Sequence, residues 1–209
     1  MRATRELPAF RADDPAEQAA LDAPRAVIAL FLDAGTSDFP VRALAEHTGL
    51  SERTFYRVFP RKEDAVRPYL AAGLAAVVAR VREAPSTLPL RAALVEAHAG
   101  LLDRASGEAG ATLLATLEGS ARLRALWLAL LVDAERAFAE AVAARLGVSP
   151  ESARARLLGA LVVAAGRLAL RPPPGDPRPR SVIFAEALDL LDGGLWAPPP
   201  VQDRPSQEP

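Results

Sequence analysis

The segment Phe39-Pro40-Val41-Arg42-Ala43-Leu44-Ala45-Glu46-His47-Thr48-Gly49-Leu50-Ser51-Glu52-Arg53-Thr54-Phe55-Tyr56-Arg57-Val58-Phe59-Pro60-Arg61-Lys62 decides the fold. It reads as two short helices joined by a tight turn at Gly49. Pro40 suits the first position of the leading helix, whose Val41, Leu44 and Ala45 face inward. Gly49 takes the left-handed backbone that ends that helix, and Leu50 drops between the two. Ser51 caps the second helix, its hydroxyl placed to accept from an orphan N–H of the first turn. At about 100° per residue, Phe55, Val58 and Phe59 fall on one side of this helix, and Arg53, Tyr56 and Arg57 on the other. That outward side is basic and aromatic with no acid on it, as a helix lying in a DNA major groove requires. Thr54 stands at its flank, where a hydroxyl or methyl meets a base edge.

Upstream, Val27, Leu30, Phe31 and Ala34 recur at helical spacing and form the inner face of a third helix, closed by Gly35. Three helices sharing one core make a small DNA-binding domain over residues 23–67. Lys62 is the only lysine in the chain. An ammonium at a helix start, beside exposed N–H groups, is a compact phosphate-binding arrangement. Arg53, Arg57, Arg61 and Lys62, with Arg67 nearby, form the local basic field, and Arg42 on the leading helix joins the DNA-contact candidates.

The strings Ala34-Gly35, Leu44-Ala45, Gly49-Leu50-Ser51, Thr54-Phe55-Tyr56, Phe59-Pro60 and Lys62-Glu63 resemble the N-terminal domain of TetR-family regulators. The resemblance runs from about Arg25 to Leu70. It implies that Tyr56 and Lys62 contact DNA phosphates and that Arg53, Thr54 and Arg57 face the groove. Val58, Arg61 and Ala65 depart from the usual pattern, where a histidine or aromatic, a small capping residue and a larger apolar residue are common.

The composition agrees with an all-α chain. Half of the 209 residues are hydrophobic and aromatics make up 5%, so the core is mainly Ala, Leu and Val, which favours helix. A net charge of −1 gives no global attraction to nucleic acid, so DNA binding must come from the local patch. The absence of cysteine excludes disulfides and thiolate chemistry. No hydrophobic leader opens the chain, and its longest apolar run, Leu157 to Leu170, is broken by Arg167, so the expected setting is cytoplasmic with no membrane contact. His47 and His98 are the two histidines and fall in different predicted domains. No metal-ligand spacing, phosphate-cradling glycine loop or nucleophile elbow occurs, so no metal, cofactor or enzymatic activity is expected.

Beyond the head, helices are predicted at about Lys62–Glu83, Leu90–Ala105, Glu108–Glu118, Ala121–Leu146, Pro150–Leu170 and Ser181–Asp192. Pro68, several residues into the first of these, predicts a kink or irregular turn near Asp64–Pro68. Gly147 and Gly193-Gly194 act as helix stops, and Arg171-Pro172-Pro173-Pro174-Gly175-Asp176-Pro177 is a stiff extended connection. Residues 1–22 read as a disordered arm, 68–195 as a helical regulatory and dimerisation domain, and 196–209 as a disordered tail.

Two faces of this helical part bear on function. Leu157, Ala160, Leu161, Ala164 and Leu168 share one helix face with small residues that let a second helix approach, and Ile183, Ala187 and Leu191 offer a second apolar strip. The family resemblance implies that these last two helices form a two-fold, four-helix dimer interface. Leu94, His98, Leu101, Leu117, Trp127 and Leu131 are candidates to line a cavity, since in the family the central helices enclose a small-molecule pocket. The expectation is therefore a homodimeric regulator of a double-stranded DNA operator, a repressor released by a small apolar or amphipathic effector. The alternatives are an activator of the same type, or a helical adaptor whose helix-turn-helix meets protein.

Overall fold

Nine α-helices and one 3₁₀ turn follow one another along the described residues, 15–173 and 175–190 of this computed structural model. The helices are α1 (Pro15–Ala34), α2 (Val41–Thr48), α3 (Glu52–Val58), α4 (Arg67–Glu83), α5 (Leu90–Ser106), α6 (Glu108–Gly119), α7 (Ala121–Leu146), α8 (Ala153–Leu170) and α9 (Arg180–Asp189), with the 3₁₀ turn at Lys62–Val66. No strand occurs among the described residues.

The expected arm is shorter than the sequence suggested, because α1 begins at Pro15. Ala16, Glu17, Gln18, Ala19, Ala20 and Leu21 are good helix formers, and they carry the helix back from the packed head. Leu191, the Gly193-Gly194 stop, the rest of the arm and the 196–209 tail lie outside the described residues. The inner face of α1 is Val27, Ile28, Phe31 and Leu32; Leu30 is half-buried and Ala34 exposed. Ala34 is the last residue of the helix, and Gly35 at φ +67° turns the chain away there.

The helix ends follow the local chemistry. Pro40 stands just outside α2 as its cap, in extended backbone, and its carbonyl accepts from the N–H groups of Ala43 and Leu44 at 3.0 and 3.3 Å. At the other end Gly49 is left-handed at φ +71°. There the Leu50 N–H donates to Ala45 O at 2.9 Å and the Gly49 N–H to Glu46 O at 3.2 Å, which satisfies two orphan carbonyls. Ser51 Oγ accepts from the Thr54 N–H at 3.1 Å and so caps α3 as expected.

The irregular turn expected near Asp64–Pro68 is the 3₁₀ stretch Lys62–Val66, after which α4 starts afresh at Arg67. Pro68 sits in the first turn of α4, where its missing N–H has no intrahelical partner to lose. Further on, α8 opens at Ala153 and not Pro150, because the Ser152 hydroxyl caps it by accepting from the Ala155 N–H at 3.2 Å. The last described helix covers Arg180–Asp189, against the expected Ser181–Asp192.

Two apolar clusters organise the packing. One joins α4, α5, α7, α8 and α9 around Leu94, Phe138, Leu158 and Phe184. Its tightest seam is between α7 and α8, where a Cβ at Gly159 would lie 2.4 Å from Glu135 O and 2.8 Å from Ala139 N. The other cluster is the core of the head, with Phe31, Leu44, Phe55 and Tyr69. Leu117 of α6 and Leu123 and Leu130 of α7 belong to it too, so the head is packed directly on the larger helical body. Arg145 ties the α4–α5 connection down, donating to the carbonyls of Ala84 (2.7 Å), Pro85 (3.1 Å) and Leu88 (2.5 Å).

Candidate nucleic-acid interface and adjoining cavity

The outward side of α3 carries Arg53, Tyr56 and Arg57, all exposed, Tyr56 by 50%. Phe55 and Phe59 anchor the helix from the other side, fully and almost fully buried, with their rings 5.1 Å apart. Burying a phenylalanine this completely is worth about 3–5 kcal/mol against alanine, so the orientation of α3 is strongly specified. Val58, expected inside with them, is 53% exposed. It is the last residue of a seven-residue helix, and the chain turns extended at Phe59, so no neighbouring element covers it.

The surface is less uniformly basic than the sequence suggested. Glu52 is exposed at the start of α3, one turn before Tyr56. Arg42 on α2 donates to Glu46 at 2.9 Å, and both side chains stand in solvent. That bond, together with the charges of Glu46 and Glu52, raises the Arg42 pKa. A phosphate reaching Arg42 must compete with Glu46. Thr54 is half-buried with its hydroxyl 2.9 Å from Ser51 Oγ, so both hydroxyls serve the helix cap. Arg61 is exposed, and its N–H donates to Asp64 at 3.0 Å, which closes the 3₁₀ turn.

Lys62 starts that 3₁₀ turn, as expected, but its ammonium is already engaged. It donates to Phe39 O at 3.0 Å and lies 3.9 Å from an Asp38 carboxylate oxygen. An ammonium has three donors, so one bond to the α1–α2 loop leaves others for a phosphate.

Behind the head a cavity of about 350 Å³ opens between α1, α4, α5, α6 and α7. Leu101, Leu117 and Trp127 line it, as the sequence reading expected. Leu94, His98 and Leu131 do not. Leu94 is fully buried, Leu131 is 6% exposed, and both belong to the α4–α9 core. His98 is a satisfied core histidine: Nδ1 donates to Leu94 O at 2.8 Å and the ring stacks on Phe184 (4.2 Å) and Phe138 (5.3 Å). Burial pushes its pKa down to about 4, against the smaller opposing effect of the Leu94 bond. Sequence reasoning missed the wall on the head side, Leu32, Tyr69 and Leu70, and Leu114 of α6. Helical spacing marks all of these as core, and spacing alone cannot separate close-packed leucine from a cavity wall.

On the far side of the body, Leu157 and Leu168 of α8 are 49% and 46% exposed, with Ala164 exposed and Ala160 and Leu161 half-buried. Leu128 and Val132 of α7, not anticipated, are exposed as well. Ile183 departs from expectation: it is 4% exposed because α9 turns it into the protein's own core beside Phe184 and Leu188. Ala187 is half-buried.

Residues 25–67 match the family model described as bacterial regulatory proteins, tetR family. The fold is similar to that of a solved tetR-family transcriptional regulator from Streptomyces coelicolor, at 19% identity over 81% of this chain and 78% of that one, with a TM-score of 0.53. No curated protein matches the sequence significantly. Among the described residues no helix is long and apolar enough to cross a membrane.

Proposed function

Since the chain belongs, through residues 25–67, to the tetR family of bacterial regulatory proteins, and so is a DNA-binding transcriptional regulator, we propose that it works as a homodimeric repressor that releases its operator when a small apolar or amphipathic effector fills the cavity. The observation that carries the reading is the outward face of α3. Arg53, Tyr56 and Arg57 are exposed together on a helix whose other side is locked by Phe55 and Phe59. In the division of roles we assign, Tyr56 and Lys62, with Arg42 and Arg61 beside them, hold phosphates. Arg53, Thr54 and Arg57 read base edges, and Ser51 sets the start of the helix.

Two further observations support the finer parts. The exposed apolar strip Leu157, Ala164 and Leu168 suits a second copy, and a dimer is what a helix-turn-helix protein needs to read two half-sites. The cavity shares Leu32, Tyr69 and Leu70 with the head, so a ligand inside it touches the helices that set the head's position. The cytoplasm is the compartment in which such a regulator meets its operator.

The test is an operator selection with purified protein, followed by titration of the selected duplex at several salt concentrations. A steep fall of affinity with salt and a palindromic selected site are expected. Failure to enrich any duplex, with salt-independent or absent binding, would favour the adaptor alternative.

A further inference from the structure

We propose that the cavity's ligand is uncharged and apolar over its whole surface, a hydrocarbon-like molecule of about two or three fused rings that carries no carboxylate, phosphate or ammonium group. This rests on the effector reading above and decides between the two classes, apolar and amphipathic, that the reading leaves open. Size comes from the volume. An apolar cavity of about 150 Å³ accommodates benzene, and this one measures about 350 Å³. The interior walls, Leu32, Leu70, Leu113, Leu117 and Trp127, offer such a body apolar contact.

Polarity comes from what each polar group on the lining already does. Tyr69 is 1% exposed and its pKa is pushed up to about 12 by burial, so at neutral pH the phenol carries no charge. It is already engaged within the protein, as are Arg104 and Glu108. The Arg104 guanidinium lies back along α5, its Nη1 3.3 Å from where a Cβ at Gly100 would stand, with the Arg80 Nη1 3.2 Å from the same point. Neither Gly100 nor Arg80 lines the cavity. At the α5–α6 corner the Gly107 N–H donates to Arg104 O at 3.2 Å and the Gly107 carbonyl accepts from the Ala111 N–H at 3.0 Å, so the main chain there is satisfied. Asp103, Arg104 and Glu108 are all exposed, at the cavity's mouth, and they bring both signs of charge. A carboxylate or ammonium drawn in between the leucines would leave water and meet no free partner among the described residues of the inner walls. A charge buried without a partner is strongly unfavourable. A hydrocarbon gives up no hydration of a charge on entering and gains from every apolar contact.

Equilibrium dialysis of the full-length protein against 2-methylnaphthalene, 2-naphthoate and 2-(aminomethyl)naphthalene tests this, the three differing only in the group on the ring. Methylnaphthalene should bind at least about tenfold tighter than either charged molecule. Arg104→Met, at an exposed position, should leave all three affinities within about threefold of wild type. Leu113→Trp, which fills the cavity from a half-buried wall position, should weaken methylnaphthalene by about tenfold or more in a protein that still binds its operator. Three results would each overturn the assignment while leaving the effector reading in place: a charged molecule binding as tightly as methylnaphthalene, Arg104→Met changing the order, or Leu113→Trp leaving methylnaphthalene binding unaltered. No binding of any of the three, in a protein that still binds its operator, would overturn the effector reading itself and this assignment with it.

Discussion

The Lys62 ammonium donates to the main-chain carbonyl of Phe39 at 3.0 Å and so fastens the exit of the helix-turn-helix to the loop that enters it. One side chain thus serves the architecture of the head and, in the proposed function, its grip on phosphate. Lys62→Ala should cost about 1 kcal/mol of stability in urea unfolding, because the side chain is only partly shielded from water. It should also weaken all duplexes alike and lower the salt slope of binding by about one unit per half-site. A variant that binds DNA normally would confine Lys62 to the structural role.

Arg53 and Arg57 are exposed on the outward side of α3, the side to which the proposed function assigns the reading of base edges. Replacing either with alanine should change preference at particular operator positions, by about 1–3 kcal/mol for a lost bidentate contact. Selection with the variants measures this. Uniform losses across all sequences would assign both arginines to phosphate.

The α8 strip predicts the oligomeric state. Leu157 and Leu168 are about half exposed, so Leu157→Arg and Leu168→Arg should leave the monomer folded yet separate the subunits. Sedimentation of the wild type as a dimer, and of the double variant as a helical monomer, is the expected result. A wild-type monomer at micromolar concentration would remove the strip from any interface.

His98 predicts a pH dependence. Its folded pKa of about 4 lies below the ordinary value near 6.5, so the unfolded chain binds the proton more readily. Stability from this residue is therefore complete above about pH 6.5 and falls as the pH drops toward 4, by up to about 3 kcal/mol. His98→Phe keeps stacking partners for Phe138 and Phe184 and should flatten that part of the curve relative to wild type. Parallel curves for the two proteins in thermal unfolding would contradict the assignment.

Gly159 predicts intolerance of a single methyl group. A Cβ there would meet backbone atoms of α7 at 2.4 and 2.8 Å, and backbone cannot swing aside as a side chain can. Gly159→Ala should lower stability by about 1–3 kcal/mol or more, despite alanine's better helix propensity. An unchanged melting temperature would mean that α7 and α8 separate at little cost.

Much of the head was legible in the sequence because its signals are local. Gly49 in the left-handed region, Ser51 as a cap, and Phe55 and Phe59 inside follow from residue type and helical spacing. The same holds for α7, whose bounds Ala121–Leu146 match the expectation, with Gly147 at φ +66° ending it. Where a local signal was weak, boundaries moved: α1 reached back to Pro15 and α8 waited for Ser152.

What only the tertiary structure decided is which apolar residues face which neighbour. Leu94 and Leu101 lie on one helix, yet one is sealed in the core and the other borders the cavity. Ile183 and Val182 are adjacent, and α9 buries the first while exposing the second. Periodicity tells an inner face from an outer one, because burial repeats with the turn of the helix. It carries nothing about the partner across the gap. Whether a leucine meets a side chain, an empty volume or water depends on residues far away in the chain, brought there only by folding.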